Sequence, residues 1–157
     1  MTVDTNLVEQ VSALPFGQTM ERLTAAIEKS GMTIFARIDH AAGAQSVGLA
    51  LPPTMVLIYG SPKGGTAIMQ AAPQAALDLP LRVLVREAEN GRTLISFHPV
   101  TEMLLHLGVP DGLAGRLEPA QQLLVEAVKL EVPLRLAIFH RILGALVVHS
   151  CASLACS

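Results

Sequence analysis

The residues best suited to chemistry sit at 60–66, GSPKGGT. They follow an apolar run, MVLIY at 55–59, so a buried strand feeds a turn that opens a helix. Backbone N–H groups at such a turn lack helical partners, and Lys63 adds a positive charge. Gly60, Ser61, Lys63, Gly64, Gly65 and Thr66 therefore form a candidate ligand or anion site. The order is not that of a Walker A loop, where the lysine follows the second glycine. Here Lys63 precedes Gly64-Gly65. The plainer reading is that the glycines turn the chain while Ser61-Pro62 starts a helix.

A second candidate is polar: Asp39 with His40 and His98, the makings of a small hydrolase or isomerase if the fold brings them together. The five histidines, His40, His98, His106, His140 and His149, include no H-x-x-x-H pair. The two cysteines, Cys151 and Cys156, form no Cys-x-x-Cys motif, so neither a metal nor another cofactor is expected. There is no G-x-S-x-G elbow for a nucleophile. Glu87 and Glu89 read as solvated hairpin charges, and Met55, Met69 and Met103 as core filler.

Composition narrows the partners. The 157 residues suit one core-bearing domain. Hydrophobic residues make up 51% of them and charged residues 15%. With 11 basic against 13 acidic residues and aromatics at only 3%, a nucleic-acid partner is not expected. The N-terminal stretch MTVDTNLVEQVSAL carries Asp4 and Glu9 and has no basic segment before an apolar run, so the expected compartment is the cytoplasm.

The elements that must position these residues can be read in order. Residues 7–13 alternate weakly, as an edge strand does. Phe16, Met20, Leu23 and Ile27 recur at helical spacing, and Gly31 suits the helix end. Residues 33–39 read as a strand with Ile34, Ala36 and Ile38 on one face, followed by a short helix at 40–49. The central strand at 54–59 and a helix from Ser61-Pro62 come next. Residues 81–88 and 92–98 flank Asn90-Gly91, which predicts a hairpin with a type I′ turn. A short helix at 100–107, a loop at 108–115 and a helix opening at Glu118-Pro119 complete the order, with Ala120, Leu123, Leu124, Ala127 and Val128 sharing a face. The expectation is an α+β domain with a mostly antiparallel sheet and helices on one face.

Several ordered pieces then agree with one family. These are the first helix ending at Gly31, Ile38-Asp39-His40, Leu51-Pro52-Pro53-Thr54, the strand into Tyr59-Gly60-Ser61-Pro62-Lys63-Gly64-Gly65-Thr66, and Leu79-Pro80-Leu81. Over about residues 12–128 the chain resembles the small bacterial and archaeal domain of unknown function 302. The resemblance implies a TATA-binding-protein-like β-α-β4-α topology and a small protein, dimeric in some members, and it implies no reaction. On that basis residues 1–130 form the domain and 131–157 an apolar C-terminal extension. In that extension, residues 142–157 carry no Lys, Arg, Asp or Glu but fall short of the ~20 residues of a membrane span. Docking on the domain or on a partner, membrane contact through residues 132–157, and a poorly ordered extension are the three readings of it. The expected function is a non-catalytic homodimeric module binding a small anionic or lipid-like molecule at residues 60–66. The His/Asp enzyme and a purely structural dimerisation domain are the alternatives.

Overall fold

A computed structural model describes residues 7–129. Five strands, β1 (Val8–Val11), β2 (Thr33–Asp39), β3 (Thr54–Gly60), β4 (Leu81–Glu87) and β5 (Thr93–Phe97), form one sheet in the order β1-β5-β4-β3-β2. Every neighbouring pair is antiparallel. The helices are α1 (Phe16–Lys29), α2 (His40–Ser46), α3 (Pro62–Ala71), α4 (Val100–His106), α5 (Asp111–Ala114) and α6 (Glu118–Ala127). A 3-10 turn at Pro73–Leu77 follows α3, and another at Gly115–Leu117 precedes α6. The domain is thus α+β.

The core lies between the sheet and one layer of helices. α1 buries Thr19, Leu23 and Ile27, a stripe spaced by four residues, so one face of the helix is apolar and the other is in water. Gly31, with φ +80, ends it: its N–H bonds the Glu28 carbonyl and the Met32 N–H bonds that of Ile27. This double bond pattern closes a helix through one left-handed residue, which glycine supplies without a Cβ clash. Leu57, Tyr59, Val83, Val85 and Ile95 meet Leu23, Ile27, Leu124 and Val128 in the core. β3 and β4 are therefore central and covered, as the unbroken apolar run of β3 suggests.

Three expectations change in detail. The β2 register shifts between Ile34 and Ala36, so Ile34 pairs with Tyr59 on the helix face while Ala36 and Ile38 pair with Ile58 and Val56 on the other. An extra residue in one strand moves the following side chains to the opposite face, and Phe35 is that residue. The hairpin forms as expected, but among the described residues only glycines have positive φ, which excludes a type I′ turn. Instead Gly91 alone has positive φ (+73). Its N–H bonds the Ala88 carbonyl and the Ala88 N–H bonds the Arg92 carbonyl, giving a three-residue loop. Finally, residues 108–115 contain α5 rather than loop alone.

The sheet face away from the helices is open. Glu9, Ser96, Leu84, Val56 and Ile38 form one cross-strand row on it. Among the described residues no helix is long and apolar enough to cross a membrane. The apolar segment at 131–157 lies outside the described residues.

Candidate functional site

The turn at residues 60–66 opens on a cleft of ≈390 Å³. β3 ends at Gly60, which is buried against the Leu79-Pro80 corner. A Cβ there would stand 3.6 Å from Pro80 Cβ and 3.9 Å from Phe35 Cε2. The shift in β2 that displaces Phe35 from the regular register sends its ring to the cleft wall, beside Met32. From α3 come Gly65 and Met69, and a Cβ on Gly65 would lie 3.7 Å from Met69 Cε. Leu117 and Ala120 close the cleft from the start of α6. The Leu79-Pro80 peptide bond is cis.

Beneath this cleft Tyr59 is fully buried, and its hydroxyl donates to the Ala120 carbonyl at 3.4 Å. Burial pushes the phenol far above its ordinary pKa, so it stays neutral and serves as a strut between β3 and α6. No lining residue carries a titratable side chain. The polar groups are two hydroxyls. That of Thr66 donates to the Pro62 carbonyl at 2.7 Å, while Ser61 takes the N-cap position of α3 without a side-chain capping bond.

Of the sequence-predicted residues, Gly60, Ser61, Gly65 and Thr66 line the cleft. Lys63 is exposed and does not line it. Gly64 is not on the lining, though a Cβ there would lie 3.5 Å from Cδ2 of the lining residue Leu117. The Gly65 N–H bonds the Ser61 carbonyl at 3.0 Å, so it belongs to the helix and not to a ligand.

The second constellation is spread across the sheet. Asp39 caps α2, accepting the Ala42 N–H at 2.8 Å, and His40 is the first residue of that helix. His98 follows β5. β3 and β4 stand between, and the register sets Asp39 level with Ile95, so Asp39 and His98 lie at least three strand spacings apart, more than about 14 Å. His98 instead borders a small hollow with Asp78, Arg82 and Gln121, in which Arg82 and Asp78 pair at 3.5 Å. Among the described residues no group of His, Cys, Asp and Glu is arranged to hold a metal.

Gln121 escaped the sequence reading. It is 6% exposed, its Nε2 donates to the His98 carbonyl at 2.7 Å and its Oε1 accepts the Val100 N–H at 2.9 Å. The signal was the spacing 121, 124, 128, which puts it on the same face as Leu124 and Val128. On the open sheet face, Arg86 donates to Glu9 at 2.9 Å and Ser96 to the same oxygen at 3.1 Å.

Known proteins give the site a setting. Two fluoride-specific ion channels, FluC 1 of Brucella suis biovar 1 (strain 1330) and FluC 1 of Brucella abortus biovar 1 (strain 9-941), are each 40% identical to the chain over 94 residues. That stretch is 60% of this chain but 37% and 35% of theirs, so the chain spans little more than a third of these relatives. The matched stretch is longer than everything outside residues 7–129 and so takes in much of the described domain. Among solved structures, the crystal structure of an uncharacterized conserved protein from Bacillus stearothermophilus superposes with a TM-score of 0.72 at 18% identity. It covers 79% of this chain and 98% of its own, and it shares the fold. The family model described as Domain of unknown function DUF302 matches residues 8–131, and the chain belongs to that family.

Proposed function

We propose that this chain is a non-catalytic, homodimeric binding module of the cytoplasm whose small ligand enters the cleft between β3, α3 and Leu117. One observation carries the reading: ≈390 Å³ of space with apolar walls and no titratable side chain on them. That volume lies in the range of small-molecule sites, which are mostly apolar with a few placed polar groups. General acid or base work needs a titratable group within hydrogen-bond reach of the substrate, and the cleft offers none. The alternative of hydrolase or isomerase chemistry at Asp39, His40 and His98 lacks such support, because two strands separate its parts. Mass spectrometry of solvent extracts from the purified full chain and from Gly65→Leu tests the reading. A small molecule carried by the wild type and lost from the variant is expected; equal amounts on both would remove the ligand from the cleft.

A second reading is an interaction module. The likeness to fluoride channels over a third of their length supports a domain that serves a larger protein of that kind. Leu7, Val11 and Ile38 are exposed on the open sheet face, where a second copy would bury them. Sedimentation velocity tests this: a dimer that Ile38→Lys dissociates is expected, and a monomer at every concentration would end the homodimer reading. The same reading treats the β-α-β4-α order as TATA-binding-protein-like. With α2 to α5 set aside, the order β1-α1-β2-β3-β4-β5-α6 supports that kinship.

A further inference from the structure

We propose that the ligand of the cleft is a neutral, mainly hydrocarbon molecule with a single hydrogen-bonding group, of the long-chain alcohol class, and not an anion. This rests on the reading of the cleft as a ligand site. An anion entering it would shed water and meet Met32, Phe35, Met69, Leu79 and Leu117, with no charged side chain on the walls to replace that water. The two features that suggested an anion do not reach it. Lys63 is exposed, and neither it nor the half-buried Gly64 lines the cleft. In the first turn of α3, Pro62 has no N–H and that of Gly65 bonds the Ser61 carbonyl. Lys63 and Gly64, whose N–H groups precede that first helical bond, do not line the cleft.

What remains is one lining hydroxyl free to donate. Thr66 commits its proton to the Pro62 carbonyl, whereas the Ser61 side chain makes no capping bond and lies on the lining. A ligand with one donor or acceptor matches that single group. A sugar or nucleotide would bury several groups without partners. Met32 and Met69 are flexible thioethers that adapt to ligands of differing length and shape, which suits a chain more than a rigid polycycle.

Two-dimensional ¹⁵N–¹H spectra of the full chain, titrated with octan-1-ol and with octanoate at pH 7.5, test the proposal. Octan-1-ol is expected to shift the amides of Ser61, Gly65 and Thr66 and to bind at least tenfold more tightly than octanoate. Lys63→Ala is expected to leave octan-1-ol affinity within twofold, and Gly65→Leu, which fills the cleft, to abolish the shifts; Met69→Phe serves if Gly65→Leu does not fold. Octanoate binding as tightly as the alcohol, weakened by Lys63→Ala, would overturn the neutral class while leaving the cleft as the site. No shift with either probe would overturn both. A nitroxide on the chain's two cysteines, Cys151 and Cys156, tests the rival occupant: broadening of the Gly65 and Thr66 amides would give the cleft to the C-terminal segment and overturn the proposal.

Discussion

The side-chain oxygen of Gln121 accepts the backbone N–H of Val100 at 2.9 Å, and the same amide donates to His98 two residues earlier. One residue of α6 thus holds the corner where β5 gives way to α4. The Val100 N–H is an orphan of the α4 N-terminus, and Pro99 in the N-cap position has no side-chain acceptor to satisfy it. Gln121→Leu keeps the apolar contacts but leaves the buried Val100 N–H without a partner and takes the donor from the part-buried His98 carbonyl. A loss of about 2–3 kcal/mol is expected from that, read from urea denaturation midpoints. A loss below about 0.5 kcal/mol would show that water or a backbone shift replaces both bonds.

The open face carries a pH-dependent contact. The Arg86 hydrogen bond, with help from Ser96, holds the Glu9 carboxyl below its ordinary value of 4.5, against a smaller opposing effect of burial. A depressed folded-state pKa stabilises the fold above the unfolded value, and that stabilisation disappears as pH falls through the folded one. The pair is partly exposed, 36% and 40% at its two side chains, so its worth is under ~1 kcal/mol. Glu9→Gln is expected to lower stability slightly at pH 7 and to match the wild type at pH 3, in urea melts at both values. A gap that persists at pH 3 would mean that Glu9 acts through packing and not through its charge.

Gly91 is the one residue of the β4–β5 loop with positive φ, at +73. A Cβ there meets nothing within 4 Å, so the cost of replacing it is conformational and not steric crowding from the fold. Gly91→Ala is expected to lose about 1–2 kcal/mol, the penalty of a left-handed backbone for an L side chain. Thermal unfolding by circular dichroism reads it. Gly112→Ala, also in open space but without positive φ, provides the contrast and is expected to stay near wild type.

That hairpin illustrates what sequence could and could not say. Asn90-Gly91 between two apolar runs was enough to place β4 and β5, because alternation and a turn dipeptide are local signals. The turn type was not local: the Gly91 N–H bonds the Ala88 carbonyl, and the register of Glu87 with Thr93 makes the loop three residues long. β2 failed in the same way. Ile34, Ala36 and Ile38 alternate on paper, but the shift at Phe35 depends on how β3 sits beside it. The glycines of the 60–66 turn were legible as a turn. Leu79 and Leu117, which make the cleft apolar, come from segments remote in sequence, so the charge of Lys63 looked more important than its place on the outer surface makes it. Asp39 and His98 could be paired only by ignoring strand order, which a list of elements does not contain.

The cleft glycine at position 65 separates stability from binding. It lies inside α3 with ordinary backbone geometry, and glycine in a helix costs roughly 0.5–1 kcal/mol relative to alanine. A Cβ at this site would touch only Met69 Cε at 3.7 Å and Leu79 Cδ1 at 4.0 Å, both at van der Waals distance. Packing in the free protein therefore does not demand glycine. Gly65→Ala is expected to stabilise the ligand-free domain by about 0.5–1 kcal/mol in urea melts. The new methyl also projects into the cleft, so the variant that folds better is expected to bind octan-1-ol more weakly. If it instead binds as well as the wild type, the glycine opens no space that a ligand uses, and α3 would have to be seen as a plain helix against the sheet.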